Sequence, residues 1–153
     1  MQNTTNNELG LLMPLMGRIT CYVRNQTSQI YKSQGYDLTP EAAHTLLIIH
    51  HFDGMPQKTL ADILGKDKAS ITRLLNTLVK SKLVERTQDE EDRRIIRAHI
   101  TQEGKDAFAK LHPELNLLSN QVFSTTPKQD FETMLRILSN IVSNLSCASE
   151  KEN

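Results

Sequence analysis

A mainly α fold with one small β hairpin is what this chain of 153 residues predicts, and three observations carry the prediction. Apolar residues recur at helical spacing through most of the sequence. Two short helical patterns lie close together across Gly65-Lys66-Asp67. Directly after them, Thr87 to Thr101 holds an acidic turn, Asp89-Glu90-Glu91-Asp92, then Arg93-Arg94 and an alternating run Ile96, Ala98 and Ile100. That is the pattern of a hairpin with arginines at its tip.

The elements follow in order. Leu9, Leu12, Met13, Met16, Ile19, Val23 and Ile30 form one apolar stripe, with Pro14 expected as a helix start or kink and the helix ending near Ser33 to Gly35. Thr39-Pro40-Glu41 reads as a cap, a proline at the first helical position and an acid in the first turn. Ala43, Leu46, Leu47 and His50 continue that second helix until Asp53-Gly54 stops it. Thr59 is expected to cap a short helix carrying Leu60, Ile63 and Leu64. After the Gly65 turn, Lys68 to Ser81 turns Ile71, Leu74, Leu75 and Leu78 inward.

Beyond the hairpin, Thr101 caps a helix bearing Ala107, Phe108, Leu111, Leu115 and Leu118, with Pro113 as a place to bend. Pro127 opens the last helix, which carries Phe131, Met134, Leu135, Leu138, Ile141, Val142 and Leu145. The stripes on the terminal helices exceed what a small lobe covers, and pairing two copies buries them most simply. The expected organisation is an N-terminal helix over 1–36, a helix-turn-helix and hairpin over 37–101, C-terminal helices over 102–147, and a disordered tail over 148–153.

Lys and Arg balance Asp and Glu, so no global basic charge announces a nucleic-acid coat. The charge is segregated instead. From Lys58 to Arg86 seven bases stand against three acids, a local excess of four. The outward positions of the second short helix, Lys68, Ser70, Thr72, Arg73, Asn76 and Lys80, can all donate to phosphates or base edges. An ordinary solvated helix would more often mix in acids. No apolar stretch approaches the roughly 20 residues needed to span a bilayer. Cys21 and Cys147 lie far apart with no CxxC spacing, which makes a reducing, cytoplasmic setting the default expectation. No nucleophile elbow, phosphate loop or HExxH is present, so nothing points to an enzyme.

A hairpin placed directly after a helix-turn-helix reads as a wing that reaches DNA while the preceding helix reads the major groove. The run Asp92-Arg93-Arg94-Ile95-Ile96-Arg97-Ala98-His99-Ile100-Thr101, followed by Gln102-Glu103-Gly104, resembles the wing signature of the MarR family of transcriptional regulators. Leu60-Ala61-Asp62, Ser70-Ile71-Thr72-Arg73-Leu74-Leu75, Leu78-Val79 and Leu83-Val84-Glu85-Arg86 are similar to that family's helix-turn-helix. The likeness covers about Thr39 to Gly104.

It implies a winged helix-turn-helix lobe with a helical dimerisation lobe formed by the terminal helices. It also implies a homodimer on a pseudo-palindromic double-stranded DNA operator, usually a repressor released by a ligand or an oxidation. Arg94 matches the arginine that enters the minor groove and Asp92 the acid that orients it. The expected DNA-binding set is Lys58, Thr59, Lys66, Lys68, Ser70, Thr72, Arg73, Asn76, Lys80, Arg93 and Arg94. The alternative is a winged-helix protein-interaction module that does not touch DNA.

Asp92 is expected to hold an arginine in a bidentate pair, Arg93 to sit on the DNA backbone or pair with acids, and the other turn acids to be solvated. By the same resemblance a small aromatic or lipophilic effector would sit between the lobes, with Met16, Tyr31, Tyr36, His44 and Leu47 as candidates, although such side chains are more often core. His44, His50, His51, His99 and His112 lack a strong ligand spacing, so no metal and no cofactor are expected. Cys21 is expected as a small buried packing residue rather than a reactive thiol.

Overall fold

A computed structural model of the chain describes residues 4–149, and the side-chain surroundings of residues 10–144. The elements are α1 (Thr4–Ser33), α2 (Pro40–His51), β1 (Met55–Pro56), α3 (Gln57–Leu64), α4 (Lys68–Lys80), β2 (Val84–Gln88), β3 (Ile96–Ile100), α5 (Gln102–Val122) and α6 (Lys128–Ser149). They divide into two compact units, 1–116 and 117–153, with the division inside α5.

The first unit is built around α2 and α4. Tyr31, Leu38, Ala42, Ala43, Leu46, Ile49, Leu60, Ile71, Leu75, Leu78, Leu83, Val84, Ala98, Ile100, Ala107 and Leu111 form one buried cluster. The three strands make an antiparallel sheet in the order β1-β3-β2. Val84 pairs with Ile100 and Gln88 with Ile96, which turns Ala98 and Ile100 onto the core while β2 beyond Val84 stays exposed. The alternation read from Ile96, Ala98 and Ile100 therefore has its inward side where expected.

Local chemistry sets most boundaries. The Thr39 hydroxyl accepts the Ala42 N–H at 3.2 Å, and the Thr101 hydroxyl accepts the Gly104 N–H at 3.0 Å, each satisfying a donor that a helix start leaves over. Gly104 has no room for a side chain, since an added Cβ would meet the Leu83 carbonyl oxygen and lie 2.7 Å from Ile100 Cγ1. Gly65 ends α3 in the left-handed region at φ 59°.

Several expectations need correction. Pro14 neither starts nor breaks α1, which runs through it from Thr4. The carbonyl of Gly10, which the proline leaves without a donor, lies in an exposed stretch where water can satisfy it. Pro113 needs no such correction, since it lies inside α5 as expected. Thr59 caps nothing: α3 already begins at Gln57, its N-cap position is Pro56 without a side-chain bond, and Thr59 lies in the first turn. The reason is non-local, because Met55 and Pro56 pair with Ala98 and Arg97 and so bring the chain straight from strand into helix. Ile63 is 51% exposed, leaving Leu60 and Leu64 to hold α3 on the core. Cys21 is exposed rather than buried, because the first half of α1 has no covering surface within its own unit.

In the second unit Phe123 and Phe131 meet edge to face at 4.8 Å across the turn between α5 and α6. Leu135, Ile137, Ile141 and Val142 are exposed. α6 extends through Ala148 and Ser149; the rest of the expected tail, and the side chains of Leu9, Leu145 and Cys147, lie outside the described residues. Among the described residues no helix is long and apolar enough to cross a membrane.

Candidate nucleic-acid interface

α4 is held in place from both ends. Asp67 caps it, its carboxylate accepting the Ser70 N–H at 2.8 Å and the Ser70 hydroxyl at 2.7 Å. Those bonds, the backbone one first, draw the Asp67 carboxyl below its ordinary range. At the other end Lys82 takes the left-handed conformation at φ 59°, with its N–H on the Val79 carbonyl and that of Leu83 on the Leu78 carbonyl. This is the double bond of a Schellman stop, built on lysine where glycine is usual. Ile71, Leu75 and Leu78 are buried, and the opposite side is free.

That side carries what the sequence assigned to it. Lys68, Arg73, Asn76 and Lys80 are exposed, Ser70 and Thr72 half-buried, and Lys68, Ala69, Thr72 and Arg73 line an open hollow on the helix surface. Some polar groups are already engaged. The Thr72 hydroxyl donates to the Lys68 carbonyl at 2.8 Å and accepts the Gln57 amide at 2.9 Å. Arg73 Nη2 donates to Ser70 Oγ at 3.3 Å, and Arg86 Nη2 donates to Asn76 Oδ1 at 2.7 Å, which leaves the Asn76 amide hydrogens free to turn outward. Lys58 and Thr59 are exposed on α3. Lys66 differs from the other lysines of the set, since its ammonium sits 2.8 Å from Glu41 and its charge is spent on joining the turn to α2.

The wing turn is closed by Asp89 N–H on the Ile95 carbonyl and Ile95 N–H on the Asp92 carbonyl, both 2.9 Å. Arg94 is 90% exposed and forks onto Asp92, Nε at 3.0 Å and Nη2 at 3.1 Å, the bidentate pair expected of that acid. The Arg94 side chain, then its N–H, hold the Asp92 carboxyl below its usual range. Arg93 is exposed and makes no ion pair among the described residues, so of its two expected roles pairing with an acid is not the one adopted here.

Asp89 overturns the reading of the remaining acids as simply solvated. Its Oδ1 accepts the N–H groups of Glu91 and Asp92, both at 3.0 Å, and its Oδ2 accepts Nε of Arg97. The Asp92 N–H, then the Arg97 guanidinium, then the Glu91 N–H hold its carboxyl below the usual range. Neither Asp89 nor Arg97 was singled out from the sequence. An aspartate opening a turn is a known signal for bonds to N–H groups two and three residues on, but nothing local announces Arg97 as its partner.

Of the effector candidates, Met16 stands apart from Tyr31. Tyr31 is fully buried in the core, edge to face with half-buried Tyr36 at 6.2 Å; burial first, then Tyr36, pushes its hydroxyl up to about 12. His44 and Leu47 are half-buried on α2, and burial followed by Arg24 pulls His44 below its ordinary value. Met16 is 41% exposed and lies fifteen residues before Tyr31 on one helix, about 22 Å along its axis. A single small molecule cannot touch both within one chain. His50 stacks on Phe108 with ring centroids 3.5 Å apart, and His51 and His112 also approach that ring.

With this geometry established, comparison with known proteins decides the family. The family model described as MarR family matches residues 38–96, which span α2 to the start of β3. The regulator SarZ of Staphylococcus aureus is 31% identical over 110 residues, covering 72% of this chain and 68% of SarZ. The chain belongs to the MarR family. Its winged-helix fold matches the transcriptional regulator BldR of Sulfolobus solfataricus with a TM-score of 0.70 at 23% identity, over 94% of this chain and 99% of BldR. A MepR mutant of S. aureus bound to an oligodeoxyribonucleotide matches with a TM-score of 0.55 at 23% identity, over 88% of this chain and 97% of that one. Across three further regulators, all of Bacillus subtilis, the chain spans 49% to 69% of their own length.

Proposed function

We propose that this MarR-family chain binds a pseudo-palindromic DNA operator as a homodimer, with the outward side of α4 in the major groove and the wing in the minor groove. The observation that carries the reading is the wing arginine: Arg94 stands 90% exposed with its guanidinium held in a fixed fork by Asp92. A charged side chain held out in water has little structural use, whereas a pre-oriented guanidinium loses little freedom on entering a groove. Beside it, Lys58, Lys68, Arg73, Lys80 and Arg93 carry no ion pair among the described residues, and α4 places no acid on its outward side. Lys66 is the weakest member of the expected set, given its bond to Glu41.

A second copy is supported by Leu11, Leu12, Met13, Leu15, Met16, Ile19 and Tyr22, all exposed on one helix. In such a dimer the two α4 helices meet successive major grooves only when about 34 Å apart. An effector that favours another separation releases the operator, which makes the protein a repressor relieved by a small aromatic or lipophilic molecule. Tyr36, His44 and Leu47 remain the lining residues to test, while Tyr31 serves the core.

The test is a titration of the protein onto the DNA upstream of its own gene at several salt concentrations. Binding should fall steeply with salt, because each lysine or arginine on a phosphate releases a counterion. Arg94→Ala should weaken binding by about 1 to 3 kcal/mol without changing the melting temperature. Absent or salt-insensitive binding would sink the reading and leave the protein-interaction module. The same titration with phenolic compounds tests release.

A further inference from the structure

Two arginines of the wing end on aspartates, and only one of them faces outward. The Arg97 side chain is 37% exposed and its partner Asp89 only 13%, against 90% for Arg94. Arg97 lies in β3 with Nε on Asp89 Oδ2, while its Nη1 donates to the Gly54 carbonyl at 2.8 Å, 43 residues away in sequence. Gly54 belongs to the loop that ends α2. That loop is tied to β3 twice more, by Gly54 N–H on the Ala98 carbonyl at 3.0 Å and by Asp53 Oδ1 accepting the Ile100 N–H at 2.8 Å.

An unbroken run of hydrogen bonds therefore leads from the end of α2 to the wing tip. The Gly54 carbonyl holds Arg97, Arg97 holds Asp89, Asp89 holds the N–H of Asp92, and the Asp92 carboxylate holds both the N–H and the guanidinium of Arg94. Arg97 is the member that makes the long step. A planar guanidinium can serve a carboxylate with one N–H and a carbonyl with another at fixed angles, which a lysine ammonium cannot reproduce.

We propose that Arg97 is a positioning residue for DNA recognition: by spanning Asp89 and the Gly54 carbonyl it sets where the wing turn stands on α2, and so where Arg94 is presented. The inference rests on the DNA-binding reading above. Because its guanidinium is engaged by Asp89 and the Gly54 carbonyl, Arg97 is not offered outward as a phosphate contact of its own. It also makes the end of α2, the helix that carries His44 and Leu47, the base on which the wing is mounted.

The experiment titrates wild type, Arg97→Leu, Arg97→Lys, Arg94→Ala and the double variant Arg94→Ala with Arg97→Leu onto the upstream DNA across a salt series, with melting temperatures taken in parallel. Arg97→Leu should bind about tenfold more weakly with an unchanged salt slope, and Arg97→Lys should fall between it and wild type. In the Arg94→Ala background the further loss should shrink to less than about twofold, since the effect passes through Arg94. Amide exchange at Glu91 and Asp92 should quicken in Arg97→Leu. If that variant melts too low to titrate, Arg97→Lys carries the same comparison with a smaller loss.

Full additivity with a shallower salt slope would overturn the proposal and make Arg97 a phosphate contact. Wild-type affinity in Arg97→Leu, or in Arg97→Lys, would overturn it too. If the wild-type protein binds no DNA, the DNA reading falls first and the positioning role with it; wild-type binding with no Arg97 effect sinks the positioning role alone.

Discussion

Ile30 and Met13 lie on the same helix and belong to the same apolar pattern, yet one packs against the core next to fully buried Tyr31 and the other is 62% exposed. The last turns of α1, from Thr27 onward, pack into the core with Leu38, Ala42 and Leu46, and Ser28 adds a bond to the Leu38 carbonyl at 2.6 Å. From Gly10 to Tyr22 every residue is exposed. The difference teaches that one continuous stripe serves two surfaces: its end completes the unit's own interior, and its beginning is left for something outside that unit. Apolar spacing alone cannot separate the two, because burial depends on what arrives opposite.

The comparison breaks first in the buried half. Leu75→Ala, at a fully buried position of α4, should cost about 2 to 5 kcal/mol of stability, since the lost contacts leave a cavity that the surrounding helices cannot fill. Urea unfolding measures it, and a loss near that of a surface substitution would mean that α4 does not share the core around Tyr31.

A smaller effect comes from pH. Burial lowers His44 and His50 below their ordinary 6.5, aided for His44 by Arg24 and for His50 by His51, His112 and Lys105 against the opposing Asp53. The unfolded chain then holds protons that the folded protein releases. Stability is full above 6.5 and declines as pH falls through and below it. The urea midpoint should therefore be lower at about pH 5.5 than at about pH 7.5. Asp67, Asp89 and Asp92, all depressed, titrate below their ordinary 3.8 and stay out of that window. An unchanged or higher midpoint at the acid end would refute the assignment.

The smallest effect on intrinsic stability belongs to the exposed half. Leu12→Ser with Met13→Ser should move the unfolding free energy of the isolated protomer by no more than about 0.5 kcal/mol, as surface positions do. Sedimentation should nonetheless show the proposed dimer shifting toward the protomer mass. A large stability loss in the protomer, or an unaltered mass, would place the start of the stripe with the core after all.

Much of this molecule was legible before any coordinates because its signals are local. Thr39 and Thr101 cap their helices with a hydroxyl three residues from the N–H they accept, and Asp92 reaches Arg94 two residues on. Residue type and spacing are enough for such contacts. Thr59 shows the limit, since its cap pattern was overridden by strand pairing between Met55 and Ala98. Pro14 shows another: a proline can sit inside a helix where its freed carbonyl has an alternative partner, and an exposed helix offers water.

By itself the sequence determined the order of the helices and the hairpin, the inward side of α4, the donors on its outward side and the acid that holds Arg94, because each depends on neighbours within a few residues. Only the tertiary structure decided that Lys66 belongs to Glu41 and that Asp89 belongs to Arg97 and through it to Gly54. It also decided where along α1 the core stops. These are meetings of residues far apart in the chain, and a distance across space is set by packing, which no local pattern encodes.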